Sequence, residues 1–183
     1  MLVQFYLKVI RPILSKIIFS NFRKSFTDQQ ISQYQKELEN TFNNFKRMND
    51  IVTWNLDSTK KGFKWVSDPL NGGGDFSPEE LWLFFARKGD DCDGWAEFNY
   101  QACCKIGLEP KLWAIIDGLN VGTAHVIATC YNPYDKLFYM FTNYDCKTFK
   151  TEDECINIFK TEVLVSCGTY KNLNKYLIKS RTK

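Results

Sequence analysis

The hydrophobic period of this chain changes near Gly107, and that change restricts the architecture more than any other feature of its 183 residues. Before it, apolar side chains return every three or four positions, the spacing of helix faces. After it, they fall into short runs of strand-forming residues bounded by turn signals. Helices first and an antiparallel meander afterwards is the order of an α+β domain, not of alternating β-α-β units.

Residues 2–19 place Leu2, Tyr6, Val9, Ile10, Ile13, Leu14, Ile17 and Ile18 on one helical face, with Gln4, Lys8, Arg11, Ser15 and Lys16 opposite. Pro12 is expected to kink or split this helix. Thr27-x-x-Gln30 reads as a capping box. It opens a second helix predicted over 28–49, carried by Ile31, Tyr34, Leu38, Phe42, Phe45 and Met48. Residues 51–76 hold Trp54, Phe63, Trp65, Asp68-Pro69 and Gly72-Gly73-Gly74 and read as loop-rich. Ser77-Pro78-Glu79-Glu80 starts a helix that runs through Leu81, Trp82, Phe84 and Phe85 and stops near Gly89. Another begins at Asp91 or Cys92 and carries Trp95, Ala96, Phe98, Ala102 and Cys103 to Gly107. Strands are expected at 112–116, 124–131 and 136–145, a helix at about 151–160, and a last strand at 163–165.

This length holds one domain with a full core. With 16% aromatic and 44% hydrophobic residues, disorder is excluded as a description of the chain. The seven cysteines are odd in number and none is spaced C-x-x-C, so free thiols in a reducing, cytoplasmic setting are expected. A single histidine and no paired-ligand spacing argue against zinc, and no other metal or cofactor is expected.

Residues 1–27 carry Lys8, Arg11, Lys16, Arg23 and Lys24 and no acid, and residues 163–183 carry another five basic residues and no acid. All 21 acidic residues lie between Asp28 and Glu162. The division that follows is a basic helical segment over 1–25, a domain over 26–170 and a basic tail over 171–183. Charges at 8, 11 and 16 break the first apolar run, so neither a signal peptide nor a spanning helix is expected there. That helix either packs on the domain or lies on a membrane surface or other anionic partner through residues 1–27. No motif for sequence-specific nucleic-acid binding is present.

The chemistry rests on Gly89-Asp90-Asp91-Cys92-Asp93-Gly94-Trp95-Ala96 and on His125. A thiolate is the reactive form of cysteine, and the unpaired N–H groups at a helix N-terminus favour that anion. Asp90, Asp91 and Asp93 oppose it, so a positive partner is needed, and a protonated His125 would serve. Asn132-Pro133-Tyr134-Asp135-Lys136 is the turn after the histidine strand. If Asn132 faces Lys136, the same register sets His125 opposite Asn143, whose side-chain oxygen can hold the imidazole tautomer. Asp145, two residues further along the same strand, is the alternative third residue.

The segments Pro78-Glu79-Glu80-Leu81, Gly89–Ala96, Gly107-Leu108, Ala124-His125-Val126 and Tyr139–Asn143 together resemble the transglutaminase-like branch of the papain-like superfamily. They look closest to the bacterial and phage transglutaminase-like cysteine peptidases, over about residues 76–145. The resemblance implies a nucleophile-bearing helix packed on a small antiparallel sheet, here with N-terminal helices added. It implies Cys92 as nucleophile, His125 as base and an Asp or Asn on the next strand. It further implies an oxyanion hole made of the nucleophile's own N–H and one upstream side-chain donor. Trp65 and Trp54 are the candidates for that donor, whose loss would cost about 2.7–4 kcal/mol of transition-state stabilisation. The implied reaction is attack on a peptide or protein amide through a thioester, completed by water. A protein-glutamine acyltransferase and a non-catalytic binding or scaffold module on the same fold are the alternatives.

Overall fold

The computed structural model describes residues 11–67, 80–117, 120–158, 163–165 and 177–179. Residues 2–10 of the first helix, the triple glycine, the Ser77-Pro78 helix start and Cys167 lie outside them.

Helix α1 (Arg11–Arg23) carries Pro12 in its first turn, and the residues on the other side of the expected kink lie outside the described ones. Its Ile18, Phe19 and Phe22 pack against Ile31, Trp82 and Leu83, while Ile13 and Ile17 face outward. Helix α2 (Asp28–Asn44) begins with the expected box, the Thr27 hydroxyl accepting the Gln30 N–H and the Gln30 carboxamide accepting the Thr27 N–H.

The helix predicted over 28–49 is in fact two. Phe45 and Arg47 are extended, and α3 (Met48–Ser58) starts afresh. The cause is local. The Asp50 carboxylate accepts the N–H groups of Lys46 and Arg47, offering the backbone an alternative to the helical ladder. Phe45 and Met48 stay buried across the break, which is why the apolar rhythm runs through it. Trp54 therefore rides on a helix and not in a loop.

A 3-10 turn (Thr59–Lys61) leads to β1 (Lys64–Trp65), and α4 (Trp82–Ala86) leads to β2 (Gly89–Asp90). β1 and β2 pair in parallel, Lys64 with Gly89 and Trp65 with Asp90. Then come α5 (Cys92–Lys105), β3 (Pro110–Asp117), β4 (Asn120–Asn132), β5 (Leu137–Thr142), β6 (Asp145–Phe149), α6 (Glu152–Asn157), β7 (Val163–Val165) and β8 (Leu177–Lys179). The last six strands form one antiparallel sheet in the order β6-β5-β4-β3-β7-β8. The architecture is α+β, as the change of period requires.

Strand alternation divides the core into two layers. Leu112, Ala128, Cys130 and Phe141 face α5, meeting Trp95, Phe98, Ala102 and Cys103 together with Phe45, Ile51, Phe63, Phe84 and Phe85. Trp113, Ile127 and Met140 face the other way, onto Cys155 and Ile156 of α6. Phe98 sits at the centre of the larger layer, its ring 4.4 Å from Trp54 and stacked 5.0 Å from Phe84. Each such buried ring contributes about 1.5–3 kcal/mol. Two fully buried amides tie α3 to α5. Asn55 Nδ2 donates to Asn99 Oδ1 at 2.7 Å, and each amide also donates to the carbonyl four residues back in its own helix. Both are thereby satisfied, as buried amides must be.

The β4–β5 register departs from expectation by one residue. Asn132 pairs with Leu137, not Lys136. Lys136 has φ +60° and its N–H closes onto the Asn132 carbonyl, so it belongs to the turn. The strand predicted over 136–145 is likewise split, by a two-residue turn at Asn143-Tyr144 that pairs Thr142 with Asp145. Asn143 takes φ +52° there, a conformation that asparagine tolerates better than most residues.

Candidate active site

Cys92 is the first residue of α5, where the sequence placed it. The three acids around it have separate tasks. Asp90 forms a buried ion pair with Arg87 at 2.5 Å and accepts the Asp91 N–H. Arg87 also donates to the Ser67 carbonyl at 2.9 Å, which ties the chain after β1 to the helix entrance. Asp91 is the N-cap and accepts the Asp93 N–H. Asp93 lies in the first turn, where an acid suits the helix dipole.

Two glycines make this packing possible. A Cβ on Gly89 would fall 1.8 Å from the Lys64 carbonyl oxygen, and one on Gly94 would fall 2.3 Å from an Asp90 carboxylate oxygen. The parallel β1–β2 pair and the seating of α5 over Asp90 both depend on their absence.

The Cys92 sulfur is hydrogen-bonded by the backbone N–H of Val126, the residue after His125 on β4. That contact brings the helix start and the histidine strand together. Burial, then Asp93, then Asp91 push the Cys92 thiol up to about 12. Burial pulls the His125 imidazole below its ordinary value. The expected pairing of a thiolate with a protonated His125 is therefore not the resting state this environment favours, because two half-buried groups are both driven to their neutral forms.

The imidazole partner also differs from expectation. His125 Nε2 lies 2.7 Å from Thr142 Oγ1. With Asn132 against Leu137, it is Thr142 and not Asn143 that falls on the His125 face at the end of β5. Asn143 occupies the turn, and its Oδ1 is buried with no hydrogen-bond partner among the described residues. Asp145, exposed at the start of β6, stands across from Thr142 and one strand away from the histidine. Neither of the two residues expected to orient the imidazole is at Nε2. The usable signal for Thr142 lay in the Asn132–Lys136 loop: a fourth turn residue shifts every later pair by one.

Of the two oxyanion candidates, Trp54 is packed among the core rings, 6.4 Å from Trp95 between centroids. Trp65 is 53% exposed and pairs with Asp90, two residues before the nucleophile. A cavity of about 330 Å³ lined by Glu37, Trp54, Lys61, Phe63, Phe85 and Lys88 lies elsewhere and includes neither Cys92 nor His125.

All six described cysteines are free thiols, with Cys103, Cys130 and Cys155 buried. No group of three or more His, Cys, Asp or Glu that could hold a metal ion occurs among the described residues. No described helix is long and apolar enough to cross a membrane. No family model matches the chain, and no curated protein or solved structure does.

Proposed function

We propose that the chain is a thiol-dependent acyl-transfer enzyme with a papain-like, transglutaminase-like core, acting as a cysteine peptidase or amidase. The observation that carries the reading is the Cys92 sulfur at the first turn of α5, bonded by the N–H next to His125. In the first step the Cys92 sulfur attacks an amide carbonyl and the S–C bond forms. The thiol proton passes to His125 and from there to the leaving amine as the C–N bond breaks. Water then attacks the thioester, giving its proton to His125, and the thiol is released. An amine in place of water would make the same site a protein-glutamine acyltransferase.

The test is reaction of the native protein with p-nitrophenyl acetate and with iodoacetamide, read at each cysteine by peptide mass spectrometry. An acetyl group on Cys92 that requires His125 is expected, with the other cysteines largely spared. Because the thiol is pushed up to about 12, iodoacetamide labelling of resting Cys92 is expected to be slow at neutral pH and to climb steadily above it. Equal acetylation of exposed Cys104 and Cys92, indifferent to His125, would instead support a binding or scaffold module. The partial burial of Cys92, which pushes its thiol up, favours that second reading.

The N-terminal helix supports a peripheral location for this domain. α1 turns one apolar face inward, yet leaves Ile13 and Ile17 on the surface beside Lys16. An acid-free segment with exposed isoleucines fits an anionic membrane surface, where each lysine or arginine contributes about 1 kcal/mol. Ile13→Ser with Ile17→Ser is expected to weaken pull-down by phosphatidylserine vesicles severalfold. Undiminished pull-down would leave α1 as a packing helix only.

A further inference from the structure

We propose that Thr142 is the positioning residue of the site, holding the His125 ring through Nε2 with an uncharged hydroxyl where a carboxamide or carboxylate was expected; this rests on the reading of Cys92 and His125 as nucleophile and base. The contact is short. Nε2 and Oγ1 are 2.7 Å apart. Thr142 is the last residue of β5, and its backbone is fixed by pairing with Asp145 across a two-residue turn. A β-branched side chain has few rotamers to choose from, so a hydroxyl in this place stays aimed. His125 is fixed on β4 by its pairing with Ile115 of β3. Both groups thus stand on rigid strands, as a catalytic pair requires.

An imidazole engaged at Nε2 exchanges its catalytic proton at Nδ1. When Nε2–H donates to the hydroxyl, Nδ1 is left with the lone pair, as a base for the Cys92 proton requires. A carboxylate in that place would also stabilise the imidazolium, whereas a hydroxyl orients the ring and supplies no charge. Asp145 stands across from Thr142, Asp91 and Asp93 flank Cys92, and Glu152 on α6 reaches Thr129 and is paired with Lys111. The pair then rests as thiol and neutral imidazole, and the proton leaves sulfur as the S–C bond forms, not before.

The chain's single histidine makes the test direct, because nitrogen NMR of its imidazole reads one ring. In the wild type one neutral tautomer, protonated at Nε2, is expected at pH 7. Thr142→Val should give a mixture of tautomers, and Thr142→Ser should restore one. Thr142→Asp should move the His125 titration to higher pH and speed iodoacetamide labelling of Cys92 at pH 7 by about tenfold. A tautomer and titration unchanged in Thr142→Val would overturn the role of Thr142, even with Cys92 acylating normally. A tautomer that follows Thr142 while wild-type Cys92 never acylates would overturn the enzymatic reading instead, and with it any catalytic meaning of the contact.

Discussion

Cys92→Ala is expected to remove acylation and turnover completely, and His125→Ala to lower the acylation rate about 10²–10⁴-fold, the usual contribution of a positioned general base. Neither change should unfold the domain. The Asp91 cap and the Asp90–Arg87 pair that build the entrance to α5 use carboxylates and a guanidinium, not the sulfur. The Cys92 sulfur contributes a hydrogen bond from Val126, worth about 0.5–1.5 kcal/mol. His125 is half-buried and its burial favours the uncharged ring, so replacing it should strand no charge. Paired thermal melts and single-turnover acylation with p-nitrophenyl acetate separate the two effects. Acylation persisting at another cysteine in Cys92→Ala would end the thiol mechanism at this site. Equal rates with and without His125 would remove the histidine from it.

The elements whose evidence was local were legible in the sequence. The Thr27–Gln30 box, the helix opening at Cys92 and the strand carrying His125 all depend on residues close in sequence, and each lies where its pattern put it. The break between α2 and α3 was not legible. The apolar positions Phe45 and Met48 keep helical rhythm while a carboxylate takes two backbone N–H groups away from the ladder. Rhythm reports which side chains are buried and is silent on where the backbone hydrogen bonds go.

The expected imidazole partner was displaced by one residue. Counting Lys136 as a strand residue placed Asn143 against His125, and its positive φ moved the whole ladder by one. Such a shift changes which side chains share a face, so Thr142 replaced Asn143 as the imidazole partner. The electrostatic expectation failed for a different reason. The sequence shows three acids around Cys92 but not that both it and His125 are half-buried, and burial is the largest influence on each. Solvation is a property of the packed layers, not of spacing.

Gly89→Ala is expected to be among the most damaging single substitutions available outside the aromatic core, and Gly107→Ala is its control. Both glycines have positive φ, +133° at Gly89 and +80° at Gly107, so both substitutions incur backbone strain. At Gly107 nothing lies within 4 Å of the added Cβ, and the cost should be about 1–2 kcal/mol, that of a left-handed L-residue. At Gly89 the Cβ would also lie 1.8 Å from the Lys64 carbonyl oxygen, which is backbone and cannot rotate away. Relief requires β1 and β2 to separate, breaking the Lys64–Lys88 and Val66–Asp90 hydrogen bonds and unseating the buried Arg87–Asp90 pair. Breaking a buried ion pair alone costs about 3–5 kcal/mol, against a total stability for a domain of this kind of about 5–15 kcal/mol. Urea midpoints for the two variants measure the difference. Where Gly89→Ala still folds, the displaced strand should carry the Asp91 cap with it, and Cys92 acylation should fall along with stability. Equal midpoints for the two variants would mean that the β1–β2 pair does not hold the entrance to α5.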